Sequence, residues 1–147
     1  MENKEVEILL VEDNEADIEM TLRSLSEYNV CNAIQVVRDG REALNLLFPR
    51  ESGAESIRPR VVFLDLKLPK VSGHEVLRRI KSDEKTRDIS VVIMTSSREK
   101  VDIDRCYELG ANSYVVKPIG FEDFSRVVKE LKLYWLVLNE PPANKNE

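Results

Sequence analysis

A single histidine, two cysteines and the absence of any long apolar run narrow what this chain can be. With only His74 available, neither a histidine-built metal cage nor a Ser/His/Asp triad can be assembled, which removes most hydrolase chemistry. Cys31 falls in an expected loop and Cys106 inside an expected helix, with no metal spacing between them. They read as reduced, ordinary thiols rather than a disulfide. No stretch approaches the roughly 18 apolar residues of a membrane span. The start, Met1-Glu2-Asn3-Lys4-Glu5, lacks the basic and apolar regions of a signal peptide, so cytoplasm is the expected compartment. Acidic residues outnumber basic ones, 27 to 22. A net charge of −5 argues against nucleic acid or an acidic membrane as the main partner.

What is present is an ordinary globular composition, 42% hydrophobic and 33% charged over 147 residues. That is long enough for one domain with a real core. Val61-Val62-Phe63-Leu64 is a run of the kind buried on both faces of a sheet, and it leads straight into Asp65. A carboxylate cannot continue an apolar interior unpaired, so the strand should end there, with Asp65 on its carboxyl-end rim. Val6 to Val11 ends the same way in Glu12-Asp13, and Asp13 or Asn14 can cap the helix that follows. That helix carries Ile18, Leu22 and Leu25 and stops near Tyr28-Asn29. Ala33 to Arg38 suits an outer strand, and Gly40 opens a helix closed by Pro49. Arg50 to Arg60 is a long surface connection.

Past the central strand, Pro69 to Gly73 reads as loop and His74 to Ile80 as helix. Val91 to Met94 is a buried strand ending in Thr95-Ser96-Ser97. Val101 to Leu109 is helical with Gly110 as its C-cap, and Tyr114-Val115-Val116 is the last strand, ending in Lys117-Pro118. Phe121 to Leu138 closes the chain as a helix stopped by Pro141-Pro142. Strand and helix alternate five times. The expected fold is α/β: a doubly wound, five-stranded parallel sheet of the flavodoxin-like (βα)5 kind, in order 2-1-3-4-5. One domain over 1–140, a short tail over 141–147 and no output domain are expected.

Four of the strand ends deliver polar groups to one edge: Glu12 and Asp13, Asp65, Thr95 and Lys117. Ligands are held at that edge in open α/β sheets. In a 2-1-3-4-5 order the first and third strands are neighbours, so Glu12, Asp13 and Asp65 would crowd together. Crowded carboxylates repel, and a hard divalent cation such as Mg²⁺ resolves the conflict. Lys117 adds an ammonium and Thr95 a hydroxyl. A metal, an ammonium and a hydroxyl around one carboxylate make a receptor for a phosphoryl group, with Asp65 as the nucleophile.

These motifs resemble the receiver domains of two-component response regulators. They are Leu9-Leu10-Val11-Glu12-Asp13-Asn14, Asp65-Leu66-Lys67-Leu68-Pro69 with Gly73, Met94-Thr95-Ser96 and Tyr114-Val115-Val116-Lys117-Pro118. The likeness runs from about Val6 to Leu138, and the 30 positions from Asp65 to Thr95 and 22 from Thr95 to Lys117 are similar to the family's own. The resemblance implies that Asp65 is the phospho-acceptor for a sensor histidine kinase. It implies that Asp13 and Asp65 bind Mg²⁺, Glu12 mostly through water, and the Lys67 backbone carbonyl as a further ligand. Thr95 would be the switch hydroxyl, Tyr114 the aromatic that swings with it, and Lys117 the cation that pairs with the phosphate. Small Ser96 would leave room for that phosphate, and Pro118 would follow a cis bond. The Asp65–Pro69 motif, the long 50–60 connection and the ending Leu133-Tyr134-Trp135-Leu136 with Pro141-Pro142 are most similar to the stand-alone regulators that partner bacterial phytochromes.

Two residues depart from the pattern. Lys67 could shield an acyl phosphate or simply point to solvent, and His74 reads as a polar residue in a helix's first turn rather than a phosphohistidine. In the last helix Leu133, Leu136 and Val137 fall off the core stripe, which predicts a homodimer through that end, the alternative being that the Pro141-Pro142 tail folds back over them. Phosphorylation would act by changing the surface made by the helix after Thr95, the last strand and the last helix. A haloacid-dehalogenase-type phosphatase would need a second acid two residues past Asp65, where Lys67 stands. A pseudo-receiver that never takes phosphate is the other alternative, and the intact Glu12/Asp13/Asp65/Thr95/Lys117 set speaks against it.

Overall fold

The computed structural model describes residues 6–27, 33–51, 53–117 and 122. In chain order they form β1 (Ile8–Val11), α1 (Glu15–Glu27), β2 (Ile34–Val37), α2 (Gly40–Leu47), β3 (Val61–Leu64), α3 (Gly73–Ser82), β4 (Ser90–Thr95), α4 (Lys100–Glu108) and β5 (Ser113–Val116). The five strands make one sheet in the order β2-β1-β3-β4-β5, and every adjacent pair is parallel. The expected last helix, the Lys117–Pro118 bond, Cys31 and the dimer residues Leu133, Leu136 and Val137 lie outside the described residues.

The apolar runs are continuous because both faces of the sheet are covered. Successive strand side chains point to opposite faces. Leu9, Val11, Val62, Leu64, Val91 and Ile93 pack with Ala43 and Leu47 of α2, Val76, Leu77 and Ile80 of α3 and Cys106 of α4. Ile8, Leu10, Val61, Phe63, Val92 and Met94 face the other way, against Ile18 and Leu25 of α1. The three inner strands are wholly buried, whereas edge strands β2 and β5 are largely half-buried.

Local chemistry sets the helix starts. The Asn14 side chain accepts from the Asp17 backbone N–H at 3.0 Å, so of the two capping candidates it is Asn14 that opens α1. Asp39 caps α2 by accepting from the Glu42 N–H at 2.8 Å, and Ser72 caps α3 by accepting from Glu75 at 3.3 Å. Helix α3 therefore begins at Gly73, where the sequence pattern placed loop. The reason is close packing: a Cβ at Gly73 would stand 2.2 Å from the Asp65 carbonyl oxygen. Leu109 is the C-cap of α4, and Gly110, expected in that place, follows it with φ +105°, a conformation that costs glycine little.

The connection over 50–60 carries no regular element among its described residues, yet its second half is tied down. Ile57 N–H donates to Leu46 O at 3.0 Å and Arg60 N–H to Glu7 O at 2.8 Å. Near the far end of α3, the Lys81 ammonium donates to the carbonyls of Arg87 (3.0 Å) and Ile89 (2.6 Å) and to Asn112 Oδ1 (3.2 Å), clasping helix, loop and sheet together.

Candidate metal and phosphoryl site

The sheet ladder runs one residue past the strands, and this extension holds the site. Glu12 N–H donates to Val37 O at 3.0 Å, Asp65 N–H to Val11 O at 3.1 Å and Lys117 N–H to Thr95 O at 2.7 Å. Each backbone is thus fixed by its neighbouring strand before its side chain leaves the sheet. One carboxylate oxygen each from Glu12, Asp13 and Asp65 lies within 4.8 Å of the others. Asp13 is exposed, and Glu12 and Asp65 are buried, so the cluster opens to solvent on one side.

Lys117 reaches into this cluster with its side chain only 10% exposed. Its ammonium pairs with Glu12, lies 2.9 Å from Asp17 Oδ2 and 3.4 Å from Asp65 Oδ2. Burial opposes the ammonium, but the bonds to Glu12 and Asp17 and the Asp65 charge overcome it and push its pKa up to about 12. It stays charged. Glu12 goes the other way. Burial outweighs the attraction of Lys117, and the nearby Asp65 charge adds to it, so the carboxyl is raised to about 7.

Four carboxylates against one ammonium leave three negative charges uncompensated when all are ionised. Burial is the main cause of the raised Glu12, and the Asp65 part of that excess adds to it. Three converging oxygens on a half-open rim, with no nitrogen or sulfur donor, fit a hard divalent cation. Asp65 itself is further oriented by the Lys67 backbone N–H, which donates to its Oδ1 at 3.3 Å, while the Lys67 side chain is exposed.

On the β4 side the chemistry is neutral. Thr95 is fully buried, and its hydroxyl accepts from the Ser97 N–H at 3.4 Å. Ser96 is exposed. Tyr114 is half-buried and its hydroxyl donates to Ser97 O at 3.0 Å, while burial raises its pKa. Cys106 is buried in α4, and burial pushes its thiol up to about 11, as suits an inert core residue. His74 lies in the first turn of α3, where a polar residue was expected.

Asp17 is the residue that the sequence motifs miss. It sits in the first turn of α1, where an acid is unremarkable as a partner for the helix dipole. Its distance of five positions from Glu12 brings it back over the strand end, and that spacing was the available signal.

The response regulator receiver domain family matches this chain over residues 8–129. The chain belongs to that family. This receiver is 47% identical over 136 residues to the probable methanogenesis regulatory protein FilR2 of Methanothrix harundinacea, covering 92% of this chain and 87% of that protein. It is 35% identical over 136 residues to the response regulator Rcp1 of Synechocystis, covering 92% of each. A solved Mn²⁺-bound form of Rcp1 superposes with a TM-score of 0.80 at 34% identity, over 92% of this chain and 98% of that one. The phosphorylated cyanobacterial phytochrome response regulator RcpA gives a TM-score of 0.82 at 37% identity, over 95% and 99%. Phytochrome-associated regulators thus stand among the receiver's near neighbours, as the Asp65–Pro69 motif led one to expect. Receiver domains bind a divalent metal, and the acidic cluster here has the donors for one. No helix among the described residues is long and apolar enough to cross a membrane.

Proposed function

We propose that the receiver takes a phosphoryl group onto Asp65 from the phosphohistidine of a sensor histidine kinase, in a Mg²⁺-dependent step, and signals by a change coupled through Thr95 and Tyr114. The observation that carries this reading is the convergence on Asp65: two further carboxylates within 4.8 Å, and a charged lysine at 3.4 Å. A carboxylate oxygen of Asp65 attacks phosphorus while the phosphorus–nitrogen bond of the donor breaks. The electron pair stays on the imidazole nitrogen, which is then protonated. Glu12, Asp13, Asp65 and the Lys67 carbonyl are the residues that would hold Mg²⁺. Bound there, the ion would neutralise charge on the phosphoryl oxygens.

Lys117 stands ready for the same oxygens. It gives up part of its contact with Glu12 and Asp17 and pairs with the new phosphate, which brings about −1.5 to −2 units of charge. The Thr95 hydroxyl turns towards that phosphate and leaves the Ser97 N–H. Tyr114 then follows into the space behind it. The altered surface comprises α4, β5 and the expected last helix. Water later cleaves the acyl phosphate, returning the Asp65 carboxylate and inorganic phosphate.

The relation to RcpA supports a phytochrome-type kinase as donor, and we propose a cytoplasmic regulator whose receiver domain spans residues 1–140 and which acts through protein contacts. Homodimerisation through Leu133, Leu136 and Val137 belongs to the same proposal, and Leu136→Asp tests it. A dimer that becomes a monomer on size-exclusion chromatography supports it, and identical monomer elution of both proteins ends it. The acceptor is tested by incubation with Mg²⁺ and acetyl phosphate, followed by intact mass. One added phosphoryl is expected in the wild type and none in Asp65→Asn; an unmodified wild type would make this a pseudo-receiver.

A further inference from the structure

The entry to α3 is locked onto the acceptor's own loop. Gly73 N–H donates to Leu66 O at 2.9 Å, and the missing Cβ of Gly73 lets the helix touch the Asp65 carbonyl. The next residue, His74, turns its imidazole towards α4, with the side chain 17% exposed. Its Nε2 is buried and has no hydrogen-bond partner among the described residues. The nearest carboxylate oxygen, Asp102 Oδ1, lies 3.6 Å away, just beyond bonding distance. Buried polar nitrogens are rarely left this way, because the cost of removing them from water is then uncompensated.

Asp102 is not idle. Its other oxygen accepts from the Ser97 hydroxyl at 2.5 Å. Ser97 in turn holds both residues of the proposed switch: its N–H donates to Thr95 Oγ1, and its carbonyl accepts from the Tyr114 hydroxyl at 3.0 Å. A single path of contacts therefore runs from the loop after Asp65, through α3 and α4, to the loop after Thr95. It has one gap, at His74.

Resting on the reading of Asp65 as acceptor and Thr95 as switch, we infer that His74 is a positioning residue: its Nε2–H gains Asp102 as acceptor when the loop after β4 moves, which favours the switched form. The charged groups that face the imidazole are Asp102 and Arg105 of α4, while Glu75 and Arg78 on its own helix pair with each other. Burial and Arg105 lower the pKa of His74, against the opposing pull of Asp102, so the ring is neutral at neutral pH. A neutral ring turns either a lone pair or an N–H towards the carboxylate, and only the N–H is attracted. Thr95 leaving Ser97 removes one restraint on Ser97 and Asp102. A shift of well under 1 Å then closes the gap.

The experiment uses ¹⁵N-labelled full chain, in which His74 is the only histidine, so its ring nitrogens need no assignment. With Mg²⁺ and acetyl phosphate sustaining phosphorylation, the Nε2 resonance should report a protonated nitrogen and move on phosphorylation. Asp102→Ala, which removes the acceptor, should abolish that movement, as should Asp65→Asn. In His74→Leu the phosphorylated protein should populate the switched Tyr114 signal with an equilibrium constant roughly tenfold lower, the size of one buried group left unpaired. His74→Gln, whose amide N–H reaches a similar point, should restore it. Normal phosphoryl addition by mass with a stationary His74 resonance overturns the inference while leaving the reading of Asp65 intact. Equal switching in the leucine and wild-type proteins also overturns it. Absence of phosphoryl addition in the wild type removes the reading on which it rests.

Discussion

On the β1 side of Asp65 the neighbouring strand end carries Glu12 and Asp13, and Glu12, Asp17 and Asp65 itself are drawn round one ammonium. On the β4 side it carries Thr95, a neutral hydroxyl with a backbone N–H for a partner and Tyr114 close behind through Ser97. The two sides occupy the same rim of the same sheet, yet they are suited to different work. The charged side stores unfavourable electrostatic free energy, which a cation can relieve. The neutral side holds weak, replaceable hydrogen bonds, which cost little to exchange. A switch needs both: a strong local change in charge, and a partner that moves in response to it.

The largest test of this contrast is Lys117→Ala. It leaves buried Glu12 and Asp65 without their cation, and the metal-free protein should lose about 3–5 kcal/mol in urea unfolding. Added Mg²⁺ should recover most of that loss, and an equal deficit with and without the ion would mean that the acidic rim is not a cation site.

A smaller effect follows from Glu12. Its carboxyl is raised from 4.5 to about 7 by burial, so the folded state binds its proton more tightly than the unfolded state does. The metal-free protein should therefore hold this contribution fully below about pH 4.5 and lose it as pH rises towards and through 7. Mg²⁺ affinity should rise over the same window, because the ligand must be ionised. Chemical unfolding across pH, with and without the ion, separates the two trends; parallel curves would count against the site.

On the neutral side the expected changes are slighter. Thr95→Val should cost about 1 kcal/mol or less and leave phosphoryl addition intact, while the Tyr114 response disappears. Lys67→Ala should change stability by less than about 0.5 kcal/mol. Since the Lys67 side chain is exposed, acyl-phosphate lifetime should also be unchanged; a shortened lifetime would show that the cation shields the phosphate.

The charged side is also the side that could be read without coordinates. A carboxylate or lysine at the end of an apolar run is conspicuous, and strand order alone then brings Glu12, Asp13 and Asp65 together. The buried strands were legible for the same reason, since runs such as Leu9-Leu10, Val62-Phe63 and Val91-Val92 need cover on both faces. Helix starts were harder. Gly73 looks like loop until the carbonyl it must clear is known, and Asp13 and Asn14 are equally good caps on paper. Asp17 was hidden because an acid in a first helical turn has an ordinary explanation. The His74–Asp102 approach was beyond reach, because it joins α3 to α4 across 28 positions by a distance that no periodicity encodes.

Gly73 has one more consequence. Any side chain placed there by mutation, even a lone methyl, would collide with the oxygen of the very residue proposed to be modified. The acceptor loop and the helix beyond it are therefore free to vary only together, and a hydrogen atom at that position guards the chemistry from a side chain's length away.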